Sequence, residues 1–76
     1  MQFRDEKILL AFGKHLKNLR NRAGVSQEEL AYSSGISLSQ IARIETGRIN
    51  PTLCTITTLA KFLNVHPSEM MQYVSL

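Results

Sequence analysis

The stretch SQEELAYSSGISLSQIARIETG, residues 26–47, decides the reading of this chain. Ser26 stands three residues before Glu29, the spacing of a capping box, in which the serine hydroxyl accepts an otherwise unpaired backbone N–H while the carboxylate takes the N–H of the cap residue. A short helix should therefore run from about Gln27 to Ser33. Gly35 follows where the chain must turn, and glycine takes the left-handed conformation that ends a helix without a steric penalty. Ser37 and Gln40 repeat the capping-box spacing and open another short helix, through Ile41 and Ile44 to about Glu45, with Gly47 at its end.

Outward from this stretch, the N-terminal side carries Ile8, Leu9, Phe12, Leu16 and Leu19 at three- and four-residue spacing. That pattern predicts a long amphipathic helix from Asp5 to about Arg22, acidic in its first turn and basic in its last, ended by Gly24. On the C-terminal side, Asn50-Pro51-Thr52 supplies a cap and a proline where a helix can begin. Leu53, Ile56, Leu59, Ala60 and Leu63 form the expected inward stripe of a fourth helix. Pro67 fits the first turn of a fifth, carrying Met70, Met71, Tyr73 and Val74. No stretch alternates with period two. The expected fold is all-α, five helices around one core in a single domain over residues 1–76.

Composition agrees with a small packed protein. Seventy-six residues, 43% hydrophobic and 20% charged, bury roughly 60% of the surface of the unfolded chain, enough for one core and too little for a large enzyme pocket. A disordered tail, a collagen-like chain and a disulfide miniprotein are excluded. Cys54 is the single cysteine and implies no oxidising compartment. There is no run of eighteen apolar residues, and Met1 to Gly13 lacks the basic start and cleavage site of a signal peptide, so the cytoplasm is the expected location, with no membrane partner. The net charge is +3. It is concentrated in residues 1–25, where Arg4, Lys7, Lys14, Lys17, Arg20 and Arg22 oppose only Asp5 and Glu6, a pattern that fits an anionic partner.

The two short helices, joined by a four-residue turn around Gly35, have the layout of a helix-turn-helix, whose second helix enters the DNA major groove. Here the sequence resembles the phage-repressor-like (Cro-type, XRE-family) DNA-binding domains. The resemblance covers roughly residues 12–71 and rests on Gln27, Leu30, Ala31, Gly35, Ile36, Ile41, Ile44, Glu45 and Gly47, then Asn50-Pro51-Thr52-Leu53, Leu59-Ala60, Leu63 and Val65. Ala31 would sit where the two helices cross closest, and Ile41 and Ile44 would face inward.

The resemblance then implies roles for the outward positions. Ser37, Leu38, Ser39 and Arg43 fall where such proteins read bases. Arg43 is the strongest candidate because its guanidinium fork matches the O6 and N7 acceptors of guanine. Gln27 resembles the family residue that binds a phosphate at a helix N-terminus, with Arg48 and Asn50 on the other side of the motif. For Asn50 a helix-cap role stands beside the phosphate role. Arg20 and Glu45 match a structural ion pair between the first and third helices. The family's usual symmetric dimer implies an interface on helices four and five, about residues 52–74, with Phe62, Met71 and Tyr73 as its candidate residues and a palindromic operator as the double-stranded DNA partner.

An enzyme is not indicated. His15 and His66 are far apart, no second cysteine or His/Glu pair supplies a metal site or a nucleophile, and there is no glycine-rich phosphate loop. No cofactor is expected. The leading expectation is a transcriptional regulator of the repressor or restriction-modification controller type. The alternative is a protein-interaction module, such as an antitoxin binding a toxin partner; Glu28 and Glu29 near the recognition face keep it open.

Overall fold

Asp5 opens the first helix. Its carboxylate accepts the backbone N–H groups of Lys7 and Ile8, satisfying donors that have no partner inside the helix. The structure, a computed structural model, describes residues 4–73. The chain forms α1 (Glu6–Arg22), α2 (Gln27–Ser34), α3 (Leu38–Glu45) and α4 (Leu53–Phe62), followed by a 3₁₀ helix, Pro67–Met71. No strand occurs among the described residues.

The capping box at Ser26 is complete, with Ser26 Oγ accepting the Glu29 N–H and Glu29 Oε1 accepting the Ser26 N–H, both at 3.0 Å. The Ser26 backbone N–H, and then its hydroxyl, hold the Glu29 carboxyl below the usual carboxylate range. At Ser37 half of the box forms, the hydroxyl accepting the Gln40 N–H at 3.1 Å. Gly35 ends α2 with φ 77°, in the left-handed region that side chains rarely enter.

Helices α1, α2, α3 and α4 pack around Phe12, Leu16, Leu30, Ile41, Ile44 and Leu59, and Met70 of the 3₁₀ helix closes the core from below, fully buried. Each such side chain contributes roughly 1.5–3 kcal/mol by leaving water. Ala31 is partly buried against this cluster. A close backbone approach between α1 and α3 lies at Gly13, in the middle of α1. A Cβ there would stand 2.5 Å from the Ile44 carbonyl oxygen and 2.6 Å from that of Glu45.

The structure departs from the sequence expectations at five points. The fifth helix is not an α-helix: the 3₁₀ segment closes through Glu69 N–H to the His66 carbonyl and Gln72 N–H to the Glu69 carbonyl. Pro67 brings no N–H of its own, and the tight turn carries Met70 directly into the core. The fourth helix is capped by Thr52, whose hydroxyl accepts the Thr55 N–H. Asn50 therefore does not cap it, and Pro51 precedes the cap. Leu53, expected inside, becomes the first residue of the helix and is 78% exposed, because the buried part of α4 begins one turn later. Helix α1 buries Leu9, Phe12, Leu16 and Leu19 of the expected stripe, together with Gly13, and leaves only Ile8 of that stripe half-exposed. Cys54, expected as a small packing residue, is exposed; it lies in the same outward first turn of α4 as Leu53.

Candidate nucleic-acid interface

Helix α3 has an inner and an outer side. Ile41 and Ile44 are fully buried, so the side opposite them is left to solvent. Ser37, Leu38, Ser39 and Arg43 are all exposed there. Beside them lies a shallow depression of about 270 Å³, lined by Ser39, Ala42, Arg43, Thr46 and Arg48. Two arginines from consecutive turns thus flank one concave surface, the arrangement that attracts phosphate and can present a guanidinium fork to base edges.

The loop after α3 is fixed by its backbone. Arg48 N–H donates to the Arg43 carbonyl at 2.8 Å, Gly47 N–H to the Ile44 carbonyl, and the Thr46 hydroxyl to the Ala42 carbonyl. The N-terminal segment adds another tie, since Arg4 Nη2 donates to the Arg48 carbonyl at 2.7 Å while Arg4 Nε pairs with Glu6 at 2.6 Å. In the sequence Arg4 stands out only by its charge. Asn50 is exposed at the far end of the same loop, and its side chain has no hydrogen-bond partner among the described residues.

Behind α3 lies a polar cluster. Arg20 Nε donates to Glu45 Oε2 at 2.7 Å and Arg20 Nη2 to Glu45 Oε1 at 3.1 Å, a two-pronged pair with both residues only 9% exposed. Arg20 Nη1 donates to the Val25 carbonyl in the α1–α2 turn, and Gln27 Nε2 donates to Glu45 Oε1 at 2.9 Å. The hydrogen bond to Glu45 raises the Arg20 guanidinium above its already high range. Every buried side-chain polar atom among the described residues has a partner. The end of α1, the start of α2 and the end of α3 are therefore tied at one carboxylate. Gln27 is half-buried, at the first position of α2.

The residues assigned to an interface between copies fall in different settings. Phe62 and Met71 are 40% and 49% exposed. Tyr73 packs inside the chain, its ring edge-on to Phe12 at 5.6 Å and beside His15 at 5.8 Å, and burial pushes its hydroxyl up from the ordinary value. Val74 lies outside the described residues. His15 is drawn in as well, its Nε2 bonded to the Glu69 carbonyl, while His66 caps the 3₁₀ helix through the Ser68 N–H. Among the described residues, no group of three or more His, Cys, Asp and Glu could hold a metal ion, and no helix is long and apolar enough to cross a membrane.

Comparison with known proteins agrees with this geometry. A family described as a helix-turn-helix domain matches residues 11–72. An uncharacterised HTH-type transcriptional regulator, y4dJ of Sinorhizobium fredii, is 37% identical over 59 residues, covering 78% of this chain and 77% of its own. The control protein C.SmaI of Serratia marcescens is 36% identical over 69 residues, covering 91% and 80%. Among solved structures, the restriction-modification controller protein C.AhdI of Aeromonas hydrophila superposes with a TM-score of 0.79 at 40% identity, over 82% of this chain and 94% of that one. With the matched region spanning α1 to the 3₁₀ segment and the two short helices in the required order, the chain belongs to the helix-turn-helix domain family of these regulators and controllers.

Proposed function

We propose that this protein is a sequence-specific double-stranded DNA-binding regulator of transcription, of the kind its controller relatives are named for, and not an enzyme. The observation that carries the proposal is the outward side of α3. It presents Ser37, Leu38, Ser39 and Arg43 on a helix held rigidly from behind by Ile41, Ile44 and the Arg20–Glu45 pair. In the major groove Arg43 donates to O6 and N7 of a guanine, Leu38 contacts a thymine methyl, and Ser37 and Ser39 donate to a base or phosphate. Gln27, Arg48 and Asn50 contact the backbone, setting register without reading sequence. The regulators and controllers among its relatives favour this reading over a toxin-masking module.

Selection from random duplex oligonucleotides tests it. The wild type is expected to enrich an inverted repeat, and Arg43→Ala to lose preference at one base pair in each half, worth about 1–3 kcal/mol. Enrichment of no sequence above salt-sensitive background would overturn the reading.

One recognition helix spans few base pairs, so the protein acts as a symmetric dimer on two half-sites one helical turn apart. Phe62 and Met71 supply apolar surface for that contact, with Tyr73 supporting it from within. Sedimentation of the wild type should show a monomer–dimer equilibrium that Phe62→Glu shifts to monomer. A wild type that stays monomeric both alone and on DNA would remove the dimer.

A further inference from the structure

We infer that Glu45 is a positioning residue for DNA binding: the buried carboxylate that anchors Arg20 also aims the Gln27 amide at the DNA backbone. The inference rests on the reading of Gln27 as a phosphate contact and goes beyond it. A glutamine side chain on its own is a poor phosphate ligand, because several torsions must be fixed before its N–H can be delivered to one place. Here one N–H of the amide is already committed to Glu45 Oε1 at 2.9 Å. Glu45 is itself held on both oxygens by the Arg20 guanidinium, at 2.7 and 3.1 Å. The acceptor is thus fixed, and it fixes the amide. The other N–H of Gln27 has no protein partner among the described residues.

The geometry of the rest of the cluster supports the same conclusion. Gln27 is the first residue of α2, so the backbone N–H groups of Gln27 and Glu28 face the solvent side from which a phosphate would approach. The capping box occupies the N–H of Ser26 and that of Glu29 and leaves those two free. Near this end stand the exposed carboxylates of Glu28 and Glu29. They repel an anion, so the approach is productive only along the line set by the oriented amide and the free N–H groups. Glu45, through its link to Arg20 and onward to Val25, also sets the angle between that end of α2 and the end of α3 that carries Arg43 and Arg48. A residue that touches no DNA thereby registers a backbone contact against the base-reading helix.

A double-mutant cycle in DNA affinity tests this, using the full chain and the duplex enriched by the wild type. Gln27→Ala is expected to weaken binding about tenfold in the wild type, the factor carried by one hydrogen bond to a charged acceptor. In a Glu45→Met background, which removes the acceptor at similar size, the same change should cost less than twofold, because the amide is already loose. Arg48→Ala should cost the same factor in both backgrounds, which separates positioning from general loosening of the fold. If Gln27→Ala costs tenfold in both backgrounds, Glu45 does not position the amide and only the inference fails. Should Gln27→Ala cost nothing in the wild type, the phosphate contact itself is absent and the inference falls with it.

Because Glu45→Met breaks a buried pair and can prevent folding, a second measurement uses the unmodified protein. Nitrogen relaxation of the side-chain amides should show the Gln27 amide as rigid as the backbone of α2 before DNA is added, in contrast to the exposed Gln72. A Gln27 amide as mobile as that of Gln72 would overturn the inference.

Discussion

Replacing Arg20 by alanine is expected to cost about 3–5 kcal/mol, the loss that follows when one member of a buried ion pair is removed and the other is left without compensation. Glu45 is the group left behind, and it is only 9% exposed. It loses two charge-assisted hydrogen bonds, and of its side-chain partners only the neutral amide of Gln27, already bonded to it, remains. A domain of this size has a total stability of roughly 5–15 kcal/mol, so the variant sits close to its unfolding limit. The same logic predicts an asymmetric result. Exchanging both partners together, Arg20→Met with Glu45→Leu, removes both charges and fills the space, and should cost far less than either truncation. Urea unfolding of the two single variants and the double variant measures this. Single losses below about 1 kcal/mol that simply add in the double variant would contradict a buried, coupled pair.

Gly13→Ala is the second large effect, and it runs against local preference. Alanine is favoured over glycine inside a helix by about 1 kcal/mol, so an exposed position would gain stability. At residue 13 the added methyl carbon would lie 2.5 Å from the Ile44 carbonyl oxygen, 2.6 Å from that of Glu45 and 2.8 Å from the Glu45 carbonyl carbon. All three atoms are backbone and have no rotamer to move to. Helix α1 must therefore back away from α3, opening the contacts around Phe12 and Leu16 and displacing the end of the helix that bears Arg43. Overpacking of this kind costs about 1–3 kcal/mol net. Thermal unfolding should show a midpoint lowered by several degrees, at roughly 4–8 °C per kcal/mol for a domain of this length. A midpoint equal to or above the wild type would show that α1 and α3 do not meet at Gly13.

The sequence made the helices of this fold legible where a cap announced them. Ser26 and Ser37 each begin a helix as their spacing implies, Asp5 is the cap just before the helix expected to start with it, and Gly24, Gly35 and Gly47 each adopt a left-handed φ of 70–77°. Around residues 50–53 the local signals compete. Asn50 and Thr52 are both good caps, and proline fits either before or after one, so only tertiary packing decides between them. That two-residue shift is also what leaves Leu53 in solvent. The 3₁₀ segment is not legible as such because Pro67 opens either kind of helix, and the difference lies in how deep Met70 must reach. Gly13 carried a faint signal, since a glycine inside a strong helical pattern needs a reason. The pairing of Arg20 with Glu45 entered only through family resemblance, because a separation of 25 residues leaves no periodic trace. The Gln27 bond to Glu45 and the Arg4 bond to the Arg48 carbonyl depend on side-chain placement that no local pattern encodes.

In the proposed mode of binding, the outward side of α3 reads bases while the loop that follows it grips the backbone. Titration of the enriched duplex and of a scrambled duplex, each at several salt concentrations, with wild type, Arg43→Ala and Arg48→Ala, tests it most directly. Arg43→Ala is expected to close the gap between the two duplexes by about 1–3 kcal/mol for each half-site. Arg48→Ala should weaken both duplexes alike and reduce the slope of log affinity against log salt by about one for each subunit bound. Equal discrimination by wild type and Arg43→Ala, with Arg48→Ala leaving the salt slope unchanged, would contradict the account and place the DNA on another face of the protein.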